Sequence, residues 1–235
     1  MRASCRIAAS VRDKVAGKVG PGVTTAELAD YAAELIRGQG AESAFLGYRG
    51  YPGQICVSVN DAVVHGIPCC RKLAFGDIVS IDIGVRYGGF IGDTATTVMV
   101  GVTDERVMEL VATARRALEA GIANARAGGR LSDISHAIER TAVEAGFSVV
   151  REFVGHGIGR RMHEDPQVPN FGVPGRGPKL RAGMTLALEP MLNMGEAGVA
   201  VQEDGWTVLT RDGKPSAHFE HTIAVCSGQA EVLTI

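Results

Sequence analysis

The chain has 235 residues, 46% of them hydrophobic and 21% charged, enough for a sizeable core without disulfide staples and too apolar for a disordered chain. Its 24 basic residues are balanced by 26 acidic ones for a net charge of -2. No run of Lys or Arg tracks a phosphate backbone, so a nucleic-acid partner is disfavoured. Five cysteines without a Cys-x-x-Cys pair point to reduced thiols and a cytoplasmic setting. No stretch reaches the ~18 consecutive apolar residues of a membrane span. Arg2, Arg6, Arg12, Asp13 and Lys14 interrupt any signal-peptide core, so the opening segment reads as a surface helix.

In chain order, periodicity predicts helices over 3–19 and 25–37, the second opened by a Thr24/Glu27 capping box and stopped at Gly38 and Gly40. Strands follow over 55–59, 78–85 and 94–100, the last two joined across Tyr87-Gly88-Gly89. Helices return over 104–127 and 133–145, before strands near 148–154, 184–189, 206–210 and 219–226. The stretch from Pro166 to Pro178 is dense in proline and glycine and is expected to be an irregular loop inside a domain.

The order helix, helix, strands occurs twice, which suggests an internal repeat. Lys72-Leu73-Ala74-Phe75-Gly76 before Asp82 matches Lys179-Leu180-Arg181-Ala182-Gly183 before Glu189. Thr25 and Ser132, each opening the second helix of its half, lie at the same spacing. His65-Gly66-Ile67 recurs as His156-Gly157-Ile158, at a shorter one. The expectation is one domain, residues 1–235, made of two related halves of about 1–103 and 104–235, with a ligand site between them.

Asp82 lies within the apolar run Ile78 to Ile83, where an unpaired carboxylate is costly. A hairpin across the glycine turn brings Asp93 to the same side. Glu189 ends the run Met184 to Leu188, and Glu220 begins the run Glu220 to Val225, so the pattern of two acids on two core strands repeats. Four such carboxylates repel one another unless cations neutralise them, and two divalent ions suffice. Such a pair, ~3.5–4 Å apart, clamps the oxygens of a hydrolytic displacement and makes hydroxide available near neutral pH. His156, between glycines, and His163 supply the remaining signal, one as ligand and one as substrate contact, with His65 in a similar role. His136 reads as structural. His218 and His221 flank Glu220, and strand alternation turns His221 away from it. No dinucleotide fingerprint, phosphate loop, zincin helix or nucleophile elbow is present.

These residues resemble the methionine aminopeptidases, in their shorter type, over nearly the whole chain. The resemblance is carried by Gly47-Tyr48-Arg49-Gly50-Tyr51-Pro52, Asn60 through Pro68, Asp77 through Asp82, Gly92-Asp93-Thr94, Gly155 through Gly159, Met162 through Pro166, Leu188-Glu189-Pro190-Met191, Asp204-Gly205-Trp206 and Phe219 through Thr222. It implies the pita-bread fold, an α/β (α+β) arrangement of two pseudo-two-fold-related halves with a curved antiparallel sheet covered by helices. It implies Asp82, Asp93, His156, Glu189 and Glu220 as ligands of two divalent ions, Co, Mn, Fe or Zn. It also implies Glu189 as the group handling the proton of the attacking water, and His65 and His163 as contacts to the scissile amide and the oxyanion. Phe45, Tyr48, Tyr51, Cys56, His65, Met162, His163 and Trp206 are implied to line the substrate pocket. Phe45 stands where many bacterial members have cysteine, and Met162 where an aromatic is usual. The implied activity is removal of the initiator methionine from nascent proteins and peptides with a small second residue, by a cytoplasmic monomer working on chains at the ribosome. A same-fold X-Pro peptidase and a catalytically inactive binding protein on this fold are the alternatives; the intact ligand set argues against the second.

Overall fold

The computed structural model describes residues 1–235. Helix α1 (Arg2–Ala16) is followed by α2 (Thr25–Gly38). The capping box is made as the sequence predicts: Thr24 Oγ1 accepts from the Glu27 amide at 3.1 Å, and the Glu27 carboxylate accepts from the Thr24 amide at 2.7 Å. The first long strands, β4 and β5, come after three short ones, β1 (Glu42–Ser43), β2 (Cys56–Val59) and β3 (Ala62–Val64). β4 (Ile78–Tyr87) and β5 (Phe90–Met99) pair in register from Ile78↔Met99 to Tyr87↔Phe90. Gly88 and Gly89, at φ 57° and 77°, close this hairpin in the left-handed geometry that a two-residue turn requires. β5 therefore begins four residues earlier than expected.

Helices α3 (Glu105–Asn124) and α4 (Leu131–Glu144) lead into short strands. These are β6 (Ser148–Val149), β7 (Gly155–Gly157), β8 (Glu164–Val168), β9 (Thr185–Leu188), β10 (Met191–Asn193), β11 (Val199–Val201), β12 (Val208–Thr210), β13 (Ser216–His218), β14 (Glu220–Ala224) and β15 (Glu231–Val232). Of the strand expected near 148–154 only β6 forms, and the chain is irregular from Val150 until β7 begins at Gly155. The loop expected from Pro166 starts inside β8, whose residues pair with β7.

One nine-stranded antiparallel sheet runs β1-β4-β5-β14-β9-β7-β8, with β2 on β4 and β15 on β14. Alternation gives it two unlike faces. Val79, Ile81, Ile83 and Val85 of β4 pack with Ala8, Val11 and Val15 of α1 and Leu28, Ala32 and Ile36 of α2. Leu186, Leu188 and Ile223 pack with Leu110, Leu118, Ile134 and Ile138 of α3 and α4. The opposite face carries Asp82, Asp93 and Glu220, beside a smaller cluster of Phe45, Tyr51, Cys56, Ile91, Ile158 and Met162. No helix is long and apolar enough to cross a membrane.

In the β5–β14 seam the ladder covers two residue pairs, Glu220↔Ala95 and His221↔Thr94. Threonine hydroxyls continue it. Thr222 Oγ1 donates to the Asp93 carbonyl at 2.8 Å and accepts from the Asp93 amide at 3.1 Å. Thr97 Oγ1 does the same with His218, at 2.8 and 3.0 Å.

Candidate metal centre and its pocket

A cavity of about 230 Å³ opens on the face away from the helices, and all thirteen residues singled out in the sequence line it. Asp82, Asp93, His156, Glu189 and Glu220 form its floor, and Phe45, Tyr51, Cys56, Met162 and Trp206 its apolar wall. Tyr48, His65 and His163 complete it, joined by two residues that the motifs did not single out for the site, Arg49 and Phe153.

The floor is built by register. Asp82 sits across from Ala95 and Gly84 across from Asp93, so the two aspartates lie diagonally on one face of the β4–β5 hairpin. Glu220 lies across β5 from Ala95, which places the first residue of β14 on that face too. Glu189 follows β9, and His156 of β7 is opposite Ala187 of β9. Gly155 and Gly157 are needed here because a Cβ at either would overlap a backbone carbonyl oxygen, of Ala187 and of Asp165 respectively. Ser58 of β2 is opposite Ser80 of β4.

His156 donates from Nδ1 to the Gly157 carbonyl, 2.9 Å away, which leaves the Nε2 lone pair free. Nε2 lies 3.5 Å from Glu189 Oε1 and 3.9 Å from Asp93 Oδ2. Ligand atoms of Asp93, His156 and Glu220 all fall within 4.8 Å of one another. Asp82 Oδ1, Asp93 Oδ1 and Glu220 Oε1 are buried with no hydrogen-bond partner. Burial pushes the Asp82 carboxyl up to about 7. It also drives Asp93, Glu189 and Glu220 well above the usual carboxylate range, reinforced by the charges of their acidic neighbours. Burial pushes His156 down to about 4, so its imidazole is neutral at pH 7. A neutral imidazole among orphaned carboxylate oxygens is a donor set suited to divalent cations, and the residues fit such ions.

On the other side, Tyr48 Oη hydrogen-bonds His163 Nδ1 at 2.7 Å, and the His163 ring lies 4.3 Å from that of His156. Burial, followed by the nearby Arg49 charge, lowers His163; burial, with His163 second, pushes His65 down to about 4. His65 is held at φ 59°, a left-handed conformation rare outside glycine, with its ring edge-on to Phe153 and Trp206. Tyr51 donates its hydroxyl to the Gly66 carbonyl at 3.0 Å and presents its ring edge-on to Trp206. Phe45 is buried in the wall against Gly84, where any Cβ would overlap its ring.

Of the remaining histidines, His221 faces the helical side, bonded through Nδ1 to Thr234 at 2.8 Å, as alternation requires. His136 is half-buried on α4. His218, given no role by the sequence, is buried beside Glu189, its Nε2 3.8 Å from Oε2.

Residues 1–227 match Metallopeptidase family M24. A methionine aminopeptidase of Clostridium perfringens is 49% identical over 235 residues, covering 100% of this chain and 94% of that one. The crystal structure of a methionine aminopeptidase from Thermotoga maritima superposes with a TM-score of 0.98 at 47% identity, covering 100% of this chain and 94% of that one. A prolidase from Pyrococcus horikoshii shares the fold alone, with a TM-score of 0.79 at 22% identity over 100% of this chain and 60% of that one. With this architecture, the pita-bread fold, and full-length identity of this order, the chain belongs to metallopeptidase family M24, among its methionine aminopeptidases.

Proposed function

We infer that the cavity hydrolyses the peptide bond after an N-terminal methionine, with Asp82, Asp93, His156, Glu189 and Glu220 holding two divalent cations. The observation that carries the reading is the set of buried oxygens on Asp82, Asp93 and Glu220 without a partner. Bound there, the ions offset the carboxylate charges and lower the pKa of water to ~7.

The rest is the work of the chain. The methionine side chain lies against Phe45, Tyr51, Cys56, Met162 and Trp206, groups suited to a flexible, polarizable thioether. Glu189 is the acid placed to take the proton of the attacking water, lining the cavity with its Oε1 toward His156 and its Oε2 toward His218. It then returns that proton to the departing amine. With Nδ1 occupied by the Tyr48 hydroxyl, His163 offers its Nε2 hydrogen to the oxyanion, and His65 contacts the amide from its side of the cavity. Both imidazoles are lowered by burial and act as neutral donors at pH 7. We further propose that the chain is one catalytic unit of two related halves. In this reading it works as a cytoplasmic monomer on nascent chains at the ribosome, on Co, Mn, Fe or Zn, and selects a small second residue.

The test is metal analysis of protein purified without added metal, paired with hydrolysis of Met-Ala-Ser and X-Pro peptides before and after chelation. Two ions per chain and metal-dependent cleavage of Met-Ala-Ser are expected. Full activity in verified metal-free protein, or a preference for X-Pro, overturns the reading.

A further inference from the structure

Glu189 is confined between two imidazoles. His156 Nε2 faces Oε1 at 3.5 Å, and His218 Nε2 faces Oε2 at 3.8 Å. The two rings differ in what they can do. His156 lines the cavity beside Asp93 and Glu220 and could close with them on one ion, whereas His218 does not line the cavity. His218 Nε2 is nevertheless buried with no hydrogen-bond partner, in a residue that is 1% exposed. A buried nitrogen aimed at a carboxylate oxygen has its natural partner there.

The imidazole is also held in place. β13 pairs with β10, which sets His218 opposite Met191, two residues beyond Glu189. Thr97 Oγ1 accepts from the His218 amide and donates to its carbonyl, and is itself bonded to Ser80 Oγ at 2.9 Å. Glu189 has its main chain fixed, since Asn170 Nδ2 donates to its carbonyl at 3.2 Å. Its carboxylate is the movable part.

We propose that His218 is a positioning residue for Glu189: its Nε2 hydrogen binds Oε2 and keeps Oε1 turned toward the side of His156 and the substrate. The inference rests on the reading of Glu189 as the proton-handling group. His218 is set back from the cavity, which it does not line, and acts through Glu189.

Nitrogen-15 spectroscopy of the metal-loaded enzyme, with His218→Leu and His218→Gln, tests it. A protonated Nε2 is expected on His218. The leucine variant should keep two ions and an unchanged KM for Met-Ala-Ser while kcat falls about 10–100-fold, the loss typical of an outer-shell partner. Glutamine, which retains an N–H near the same oxygen, should restore most of kcat. An unprotonated Nε2, or loss of an ion from the leucine variant, overturns the proposal, the latter by making His218 a ligand. Should the leucine variant not fold, the protonation site in the unmutated protein and kcat of the glutamine variant decide. A protein inactive on Met-Ala-Ser would sink the peptidase reading by itself, and the His218 spectrum would still show whether Nε2 carries the hydrogen.

Discussion

Asp82→Asn should stabilise the chelated protein and destabilise the metal-loaded one. In the folded chain burial moves this carboxyl from its ordinary 3.8 to about 7, a gap worth about 4 kcal/mol. Between those two values the folded state still holds a proton that the unfolded chain has released. Stability therefore falls as pH rises through the window, and the whole penalty is in place above about pH 7. Asparagine keeps the shape and removes the charge. The advantage of the variant should be near zero at about pH 4 and grow to about 4 kcal/mol at about pH 8, or roughly 8–16 °C in Tm for a chain of this size. His65 and His156, held near 4, and His218, near 3, titrate with the opposite sign, costing stability below their ordinary 6.5. Both proteins share them, so they cancel in the difference. With a divalent ion added, the neutral amide is the poorer ligand and the order of stability inverts. Thermal melts followed by circular dichroism, with chelator and with Mn²⁺ across this pH range, provide the measurement. A chelated variant that melts below the unmutated chain at about pH 8, or a gap that ignores pH, refutes the reasoning.

Three further outcomes are expected. His163→Ala should lower kcat roughly 10²–10³-fold with metal content unchanged, as the oxyanion-donor role proposed for the ring requires; loss of stoichiometric metal would reassign it. Phe45→Ala should relax selection against a bulky second residue, read as the ratio of kcat/KM for Met-Ala-Ser and Met-Leu-Ser, with both ions retained by elemental analysis. Gly84→Ala should act in the opposite sense. A Cβ there would also lie 2.8 Å from Cδ1 and Cζ of Phe45, so the ring must move into the cavity, at a stability cost of about 1–3 kcal/mol and with a raised KM for Met-Ala-Ser.

The carboxylates of the site were legible because a charged residue inside an apolar strand is costly without a reason, and four such residues at matching places share one. Long elements with clear periodicity were legible too, α2 with its capping box most sharply. Other features carry no signal in one dimension. β3, β10 and β11 have three residues each, too few for alternation to register. β5 begins at Phe90, ahead of the expected Thr94, because Gly92 gives no β-branched signal at the strand's start. Gly92 is there because a Cβ would lie 2.6 Å from the backbone of Cys5 in α1, and Asp93 because the sheet face carries the acids. The glycines of the matching His65 and His156 tripeptides each answer a close backbone approach, Gly66 to Val57 and Gly157 to Asp165, that sequence alone does not reveal. His218 sits between Ala217 and Phe219 with nothing nearby in sequence to announce Glu189 as its neighbour.

The threonine seam gives the protein an internal reporter. The amides of Asp93 and His218 bond to side-chain hydroxyls of Thr222 and Thr97, where a continuous ladder would supply carbonyls. Their exchange with deuterium therefore reads the separation of β5 from β13 and β14 directly, at the strands from which Asp93 and Glu220 project. Thr222→Val and Thr97→Val each delete one hydroxyl with little change of shape, so each should expose a single amide while its neighbours stay protected. Whether the sheet parts at this line before the rest of the core opens can thus be followed residue by residue, in solution and without turnover.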